Sequence, residues 1–223
     1  YEIVPWMAVL YPEFPASMSR RLTIGTGLDA LSHSIEALVS NTASGFTDAL
    51  AVKSVEIVMR YLPVAVKDPS SLEAREKMHL AAMMAGMSFS NSGLGLAHAI
   101  AHTVGPMLKA HHGAIVATVL PYVVRYNAEK SDLAAEKYGY LEKVLNAVLD
   151  GEVSLLDRLI SLYRDVEHPL TLAEYGGSHE WLRRNENEII EGVFSDPDLG
   201  FNPVLPSEDD ILELIKRAIR GLL

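Results

Sequence analysis

The sequence predicts an all-α fold preceded by a short extended N-terminal segment. Three observations carry this. Apolar residues recur at helical spacing over most of the chain, as in Phe46 to Leu62 and Leu133 to Leu149. Helix punctuation recurs as well: Ser70-x-x-Glu73 and Ser207-x-x-Asp210 read as N-terminal caps, and Gly105-Pro106 and Asp150-Gly151 as interruptions. Strand character is confined to Glu2 to Leu10, a bulky apolar stretch bounded by Pro5 and Tyr11-Pro12 that reads as one edge strand.

Composition bounds the function. With 223 residues, 49% of them hydrophobic, the chain can bury a full core. One helical domain over 1–223 is expected, with a subdivision at Ser131 where the texture changes: 1–130 carries the candidate site and 131–223 supports it. A formal charge of −10 opposes binding to nucleic acid or to an anionic membrane surface. No apolar run reaches the roughly 18–20 residues of a membrane span. Cysteine is absent, which excludes disulfides and thiolate metal sites and fits a cytoplasmic protein.

In chain order, Gly25-Thr26-Gly27 reads as a turn into a helix, with Thr26 or Gly27 as cap and Asp29 in the first turn where it favours the dipole. Phe46 to Leu62 is a packing helix that Pro63 ends. The Ser70 helix runs through Ala81 to Met87, its small residues allowing close helix contact and its methionines filling gaps. Gly93-Leu94-Gly95 is not a dinucleotide loop, because the preceding strand, the third glycine and the βαβ setting are missing. A helix ending near Gly105-Pro106 follows, then Ala114 to Val124 with Pro121 inside it. Leu133 to Leu149 and Val153 to Tyr163 are amphipathic. Asp196 to Pro203 is a loop, and Ser207 caps a last helix over Ile211 to Leu222.

The chemistry-bearing residues gather in one part of the chain. Asp29 and His33, four apart on a helix, share a face with Cβ atoms roughly 5–6 Å apart, and such a pair can bind one metal ion. An Asp and a His at this spacing also occur on ordinary helix surfaces, so the later histidines decide the reading. His98 and His102 repeat the spacing in an apolar setting of Leu94, Leu96, Ile100 and Val104. In His111-His112-Gly113 only one imidazole can point inward. One carboxylate and several imidazoles from separate elements form a transition-metal constellation. His168 and His179 are solitary and read as surface or capping residues.

Three segments, GLDALSHSIEAL, SFSNSGLGLAHAIAHTVG and HHGAIVATVLPYVVRYNA, resemble the metal-binding domain of the iron-containing (group III) alcohol dehydrogenases, of dehydroquinate synthase-like fold. The resemblance runs from about Pro12 to the Asn202-Pro203 segment and the last helix. It implies that Asp29, His33, His98 and His112 bind the metal, that His102 is the additional active-site histidine near the nicotinamide, and that Phe89 lines the substrate cavity. His112 is preferred to His111 because it precedes Gly113 at the family spacing from His98. Tyr11 stands where the family usually has Asp, and Tyr122 where it often has a second histidine. The Asn-Pro loop is expected to pack near the active-site helices in a structural role.

Three imidazoles and one carboxylate suit Fe(II), Zn(II), Co(II) or Ni(II), and the resemblance favours iron, with zinc the main alternative. The expected reaction is NAD- or NADP-linked interconversion of a small alcohol with its aldehyde or ketone, in a homo-oligomer. The glycine-rich phosphate loop that a nicotinamide cofactor needs is missing, and the chain opens on Tyr1. The resemblance therefore implies a C-terminal fragment, inactive without its N-terminal nucleotide-binding domain. A zinc glycerol dehydrogenase, a dehydroquinate synthase-like enzyme and a non-catalytic helical oligomerisation module are the rival readings.

Overall fold

The computed structural model describes residues 6–149 and 151–223. Nine α-helices follow one another among them, with no strand: α1 Arg20–Val39, α2 Gly45–Lys67, α3 Leu72–Ser92, α4 Leu96–Met107, α5 His112–Lys130, α6 Asp132–Val148, α7 Leu155–Asp165, α8 His179–Ser195 and α9 Glu208–Arg220. Single 3-10 turns sit at Phe14–Ser17, Leu172–Tyr175 and Pro197–Phe201. The expected edge strand is not formed over Trp6 to Leu10, which has no regular secondary structure and is mostly exposed; Glu2 to Pro5 lie outside the described residues. No helix among the described residues is long and apolar enough to cross a membrane.

Helix α1 starts well before the point the sequence suggests. Ser19 caps it, its hydroxyl accepting the Leu22 N–H, so Asp29 lies mid-helix and gains nothing from the dipole. The Gly-Thr-Gly run is helical because its glycines serve packing: a Cβ on Gly27 would lie 2.5 Å from a Leu62 methyl, so α1 and α2 approach through that gap. Pro63 does not end α2. It removes one i→i−4 bond, but continuing the helix buries Ala65 and Val66. Ser71, not Ser70, caps α3 by accepting the Ala74 N–H, while Ser70 bonds to Asp68. Pro121 sits inside α5, and Ser207 caps α9 with Asp210 in a reciprocal box.

Helix α8 had no counterpart in the sequence reading. Only Leu182, Ile189 and Val193 are buried among its many charges, so its apolar stripe is thin. Helices α1, α2 and α3 pack on one another, α5 crosses α1 and carries α4, and α8 covers α4. The buried apolar residues form one cluster from Leu28 to Ile219, crossing Ser131. Asp29, His33, His98 and His112 thus stand where α1, α4 and the start of α5 meet.

Candidate metal centre

Asp29 and His33 stand one turn apart on α1, with His33 Nε2 3.8 Å from Asp29 Oδ2. His98, in the first turn of α4, puts its Nε2 3.7 Å from Asp29 Oδ1. His112, the first residue of α5, puts its Nε2 3.5 Å from the same oxygen. The imidazoles at 33 and 98 lie nearly parallel with centroids 4.8 Å apart, and those at 98 and 112 are 5.5 Å apart. The four expected ligands are therefore brought together around one carboxylate.

Close approach of α5 to α1 allows this. A Cβ on Gly113 would stand 2.3 Å from the Gly25 carbonyl oxygen and 2.8 Å from Asp29 Cβ, so only glycine lets His112 reach Asp29. His111 is turned elsewhere, as expected of one of two adjacent histidines. It is half-buried against Gly25, and its Nδ1 is buried without a partner.

The residue that orients His98 escaped sequence reasoning. Glu36 is 2% exposed on α1, and its Oε2 takes the His98 Nδ1–H in a short hydrogen bond. Its Oε1 accepts the Ala97 N–H at 2.6 Å. Gly95 caps α4 with no side chain, leaving the first amides for other elements to satisfy. Glu36 takes one; Asn202 Oδ1 takes the Leu96 N–H at 3.1 Å and is itself braced by Asn127. The Asn-Pro loop thus holds α4 in place, the structural role expected of it. A lone acid inside Ser34-Ile35-Glu36-Ala37-Leu38 was the signal for Glu36.

Electrostatics follow from this packing. Burial opposes ionisation of Asp29, but contact with His98 and the nearby imidazoles outweigh it and hold the carboxyl below its usual range. Burial, with His98 beside it, pushes His33 down to about 4. Burial lowers His112 too. Burial also works against a charged His98, yet Glu36 and then Asp29 raise it to about 9.

Two atoms test whether the donor set suits a metal. Asp29 Oδ1 and His98 Nε2 are both buried with no hydrogen-bond partner. Buried polar atoms are rarely left so, and these two face each other across 3.7 Å. Donors about 2.1 Å from a tetrahedral ion lie about 3.4 Å apart, within a few tenths of an ångström of the separations here. Asp29, His33 and His98 offer donor atoms that all lie within 4.8 Å of one another, a set that fits a divalent ion, and His112 stands beside it with its Nε2 3.5 Å from Asp29 Oδ1.

His102, expected in an apolar setting, is half-exposed and polar in its contacts. Its Nδ1 lies 2.8 Å from Asp196 Oδ2 and 3.9 Å from Asp198 Oδ2. Its ring stacks on His112, centroids 5.0 Å apart and 15° from parallel. Phe89 packs its ring 4.5 Å from that of His33 and so walls the cluster on that side. His168, read as a surface residue, is 6% exposed, with its Nε2 3.1 Å from the Thr118 hydroxyl; burial pushes it down to about 4. His179 is exposed, opening α8 and accepting from Arg220 Nε.

An all-helical domain with a carboxylate and three imidazoles converging from three helices defines a class: helical domains equipped to hold a divalent transition metal. Comparison with known proteins makes this particular. Residues 23–219 match the family described as Fe-containing alcohol dehydrogenase family, C-terminal, and the chain belongs to that family. An alcohol dehydrogenase of Thermococcus barophilus is 36% identical over 221 residues, covering 98% of this chain and 55% of the relative. An NADPH-dependent butanol dehydrogenase of Clostridium saccharobutylicum is 34% identical over 225 residues, covering 99% and 57%. The solved iron-containing alcohol dehydrogenase of Thermococcus thioreducens superposes with a TM-score of 0.90 at 37% identity, over 99% of this chain and 56% of that one. The chain spans a little over half the length of the relatives it matches.

Proposed function

We propose that this chain is the metal-binding, catalytic domain of an alcohol dehydrogenase that interconverts a small alcohol with its aldehyde or ketone by hydride transfer to or from NAD or NADP. The single observation that carries the reading is the convergence of two buried, unpartnered donors, Asp29 Oδ1 and His98 Nε2, with His33 and His112 at the same carboxylate. Asp29, His33, His98 and His112 would hold the ion, iron first and zinc as the alternative. Bound there, a divalent ion supplies a Lewis acid that acidifies an alcohol hydroxyl or polarises a carbonyl.

The chain's own residues do the rest. Glu36 keeps the proton of His98 on Nδ1 and so leaves Nε2 as the donor. His33 and His112, whose affinity for protons burial lowers, are neutral near pH 7 and ready as ligands. Phe89, against His33, gives that side of the cluster an apolar wall suited to the carbon skeleton of a small alcohol. His102, beside the cluster and open to solvent, takes the hydroxyl proton and returns it in the reverse direction. Hydride transfer also needs a nicotinamide, and the described residues form helices only. Turnover is therefore proposed for the chain joined to a nucleotide-binding domain.

Elemental analysis of anaerobically purified protein tests the reading most directly. Stoichiometric iron or zinc, lost in Asp29→Asn and His98→Gln, is expected. Protein that stays metal-free after exposure to both Fe(II) and Zn(II) would refute it and return the chain to a helical scaffold.

A further inference from the structure

We infer that Asp196 is a positioning residue for His102, fixing the proton of that imidazole on Nδ1 and leaving Nε2 as its free, proton-accepting nitrogen. This deepens the dehydrogenase reading and rests on it for the purpose that the orientation serves. The contact itself is independent of that reading. Asp196 Oδ2 lies 2.8 Å from His102 Nδ1, across 94 residues of sequence. A carboxylate only accepts hydrogen bonds, so the nitrogen facing it must carry the hydrogen.

The acid is itself held. Its other oxygen accepts the Asp198 N–H at 2.9 Å, making it the cap of the Pro197–Phe201 turn. That turn is tied to the α1–α2 connection, where Asn41 donates its side-chain amide to the Gly200 carbonyl at 2.8 Å and its backbone N–H to that of Phe201 at 3.0 Å. Helix α8, which leads into Asp196, lies so close to α4 that a Cβ on Gly192 would stand 2.6 Å from a Thr103 methyl. The side chain of Asp196 is 10% exposed and that of His102 41%, so a sequestered acid holds an imidazole whose remaining edge is open. On its flat side the ring rests on His112, a member of the metal cluster. Two contacts therefore fix the imidazole: a stack sets its plane, and a carboxylate sets its rotation within that plane. A free rotor one turn beyond His98 would present either nitrogen or neither.

Tautomers are read directly by two-bond 1H–15N correlation spectra of the 15N-histidine-labelled chain at a pH where the imidazole is neutral, with His102→Gln to assign the signal. Wild type is expected to show His102 protonated on Nδ1. In Asp196→Asn, the amide caps the turn as well as the acid does but can donate to the ring, and the proton is expected to move to Nε2. An Nε2–H tautomer in the wild type, or an unchanged one in Asp196→Asn, overturns the inference. With the nucleotide-binding domain joined, Asp196→Asn is expected to lower kcat at least about ten-fold, less than the 10²–10⁴ that general acid–base catalysis contributes because the imidazole itself is kept. KM for the alcohol should stay within about two-fold, because a proton acceptor acts on kcat rather than on binding. Undiminished kcat in Asp196→Asn overturns the inference as well. A metal-loaded wild type that turns over no alcohol even when joined to the nucleotide-binding domain and supplied with NAD and NADP sinks the dehydrogenase reading instead and leaves the tautomer result standing.

Discussion

Replacing Glu36 by Gln removes a buried acid that acts on a proposed ligand without being one itself, and the effect on metal affinity should grow with pH. Glu36 does two opposed things. As the acceptor for His98 Nδ1–H it orients the ring and raises its basicity, and loss of such a partner costs about 10–100-fold in metal affinity. By raising His98 to about 9 it also makes a proton compete for Nε2. Two pH units below that value only about 1% of the imidazole is unprotonated, so apparent affinity at pH 7 is about 100-fold below its limit. In Glu36→Gln burial dominates and His98 loses that proton, so the competition ends. The two changes nearly cancel at pH 7, whereas at pH 9 most of the 10–100-fold loss should appear. Zn(II) titrations against a chromophoric chelator at both pH values measure this. A wild-type affinity that is flat from pH 7 to pH 9, or a Gln variant weakened equally at both, would refute the reasoning.

Gly113→Ala should separate α5 from α1, because its Cβ falls 2.3 Å from the Gly25 oxygen; we expect a loss of about 1–3 kcal/mol in denaturant unfolding together with weakened metal binding as His112 leaves Asp29. Asn202→Ala strips the Leu96 N–H and Asn127 of a buried partner, a cost of about 1–3 kcal/mol, and loosened α4 amides should show as faster hydrogen exchange at Leu96 and Ala97. Metal-free protein should lose stability on acidification through His168. Its folded value of about 4 lies below the ordinary 6.5, so the contribution is full above pH 6.5, declines as pH falls toward 4 and totals about 3 kcal/mol. Melts of His168→Gln at pH 7 and pH 4.5 should show a smaller drop between the two than wild type.

Much of this arrangement is legible in the order of residues, and the parts that are not share a cause. Asp29 and His33 announce themselves by helical spacing, and His98 and His102 repeat it, because geometry along one helix is a matter of counting. Helices with a broad apolar face, α2 and α6 among them, are equally plain. Three things resist counting. The Gly-Thr-Gly run imitates a turn, since a glycine that admits a neighbouring helix looks in sequence like one that admits a positive φ. Helix α8 hides among charges because it buries one thin stripe. Glu36 and Asp196 act across 62 and 94 residues, and no local pattern tells which acid an imidazole will meet.

The cap of α4 shows why these distant partners are not incidental. A serine or aspartate at position 95 would satisfy the first amides of the helix locally, and Glu36 would then have no backbone donor to hold it. Glycine leaves the amides open, which draws Glu36 from α1 and Asn202 from the loop before α9 onto the same helix end. A carboxylate at a helix N-terminus is stabilised by the dipole, so the start of α4 suits an acid in a place otherwise too dry for one. Charge balance then follows from the fold. Asp29 and Glu36 bring two negative charges to a cluster whose imidazoles at 33 and 112 are neutral, and a proton on His98 offsets only one of them. A divalent ion displacing that proton would offset both. The missing side chain at Gly95 is thus what lets a buried acid stand behind His98, and that acid is what makes the cluster call for a doubly charged cation rather than a singly charged one.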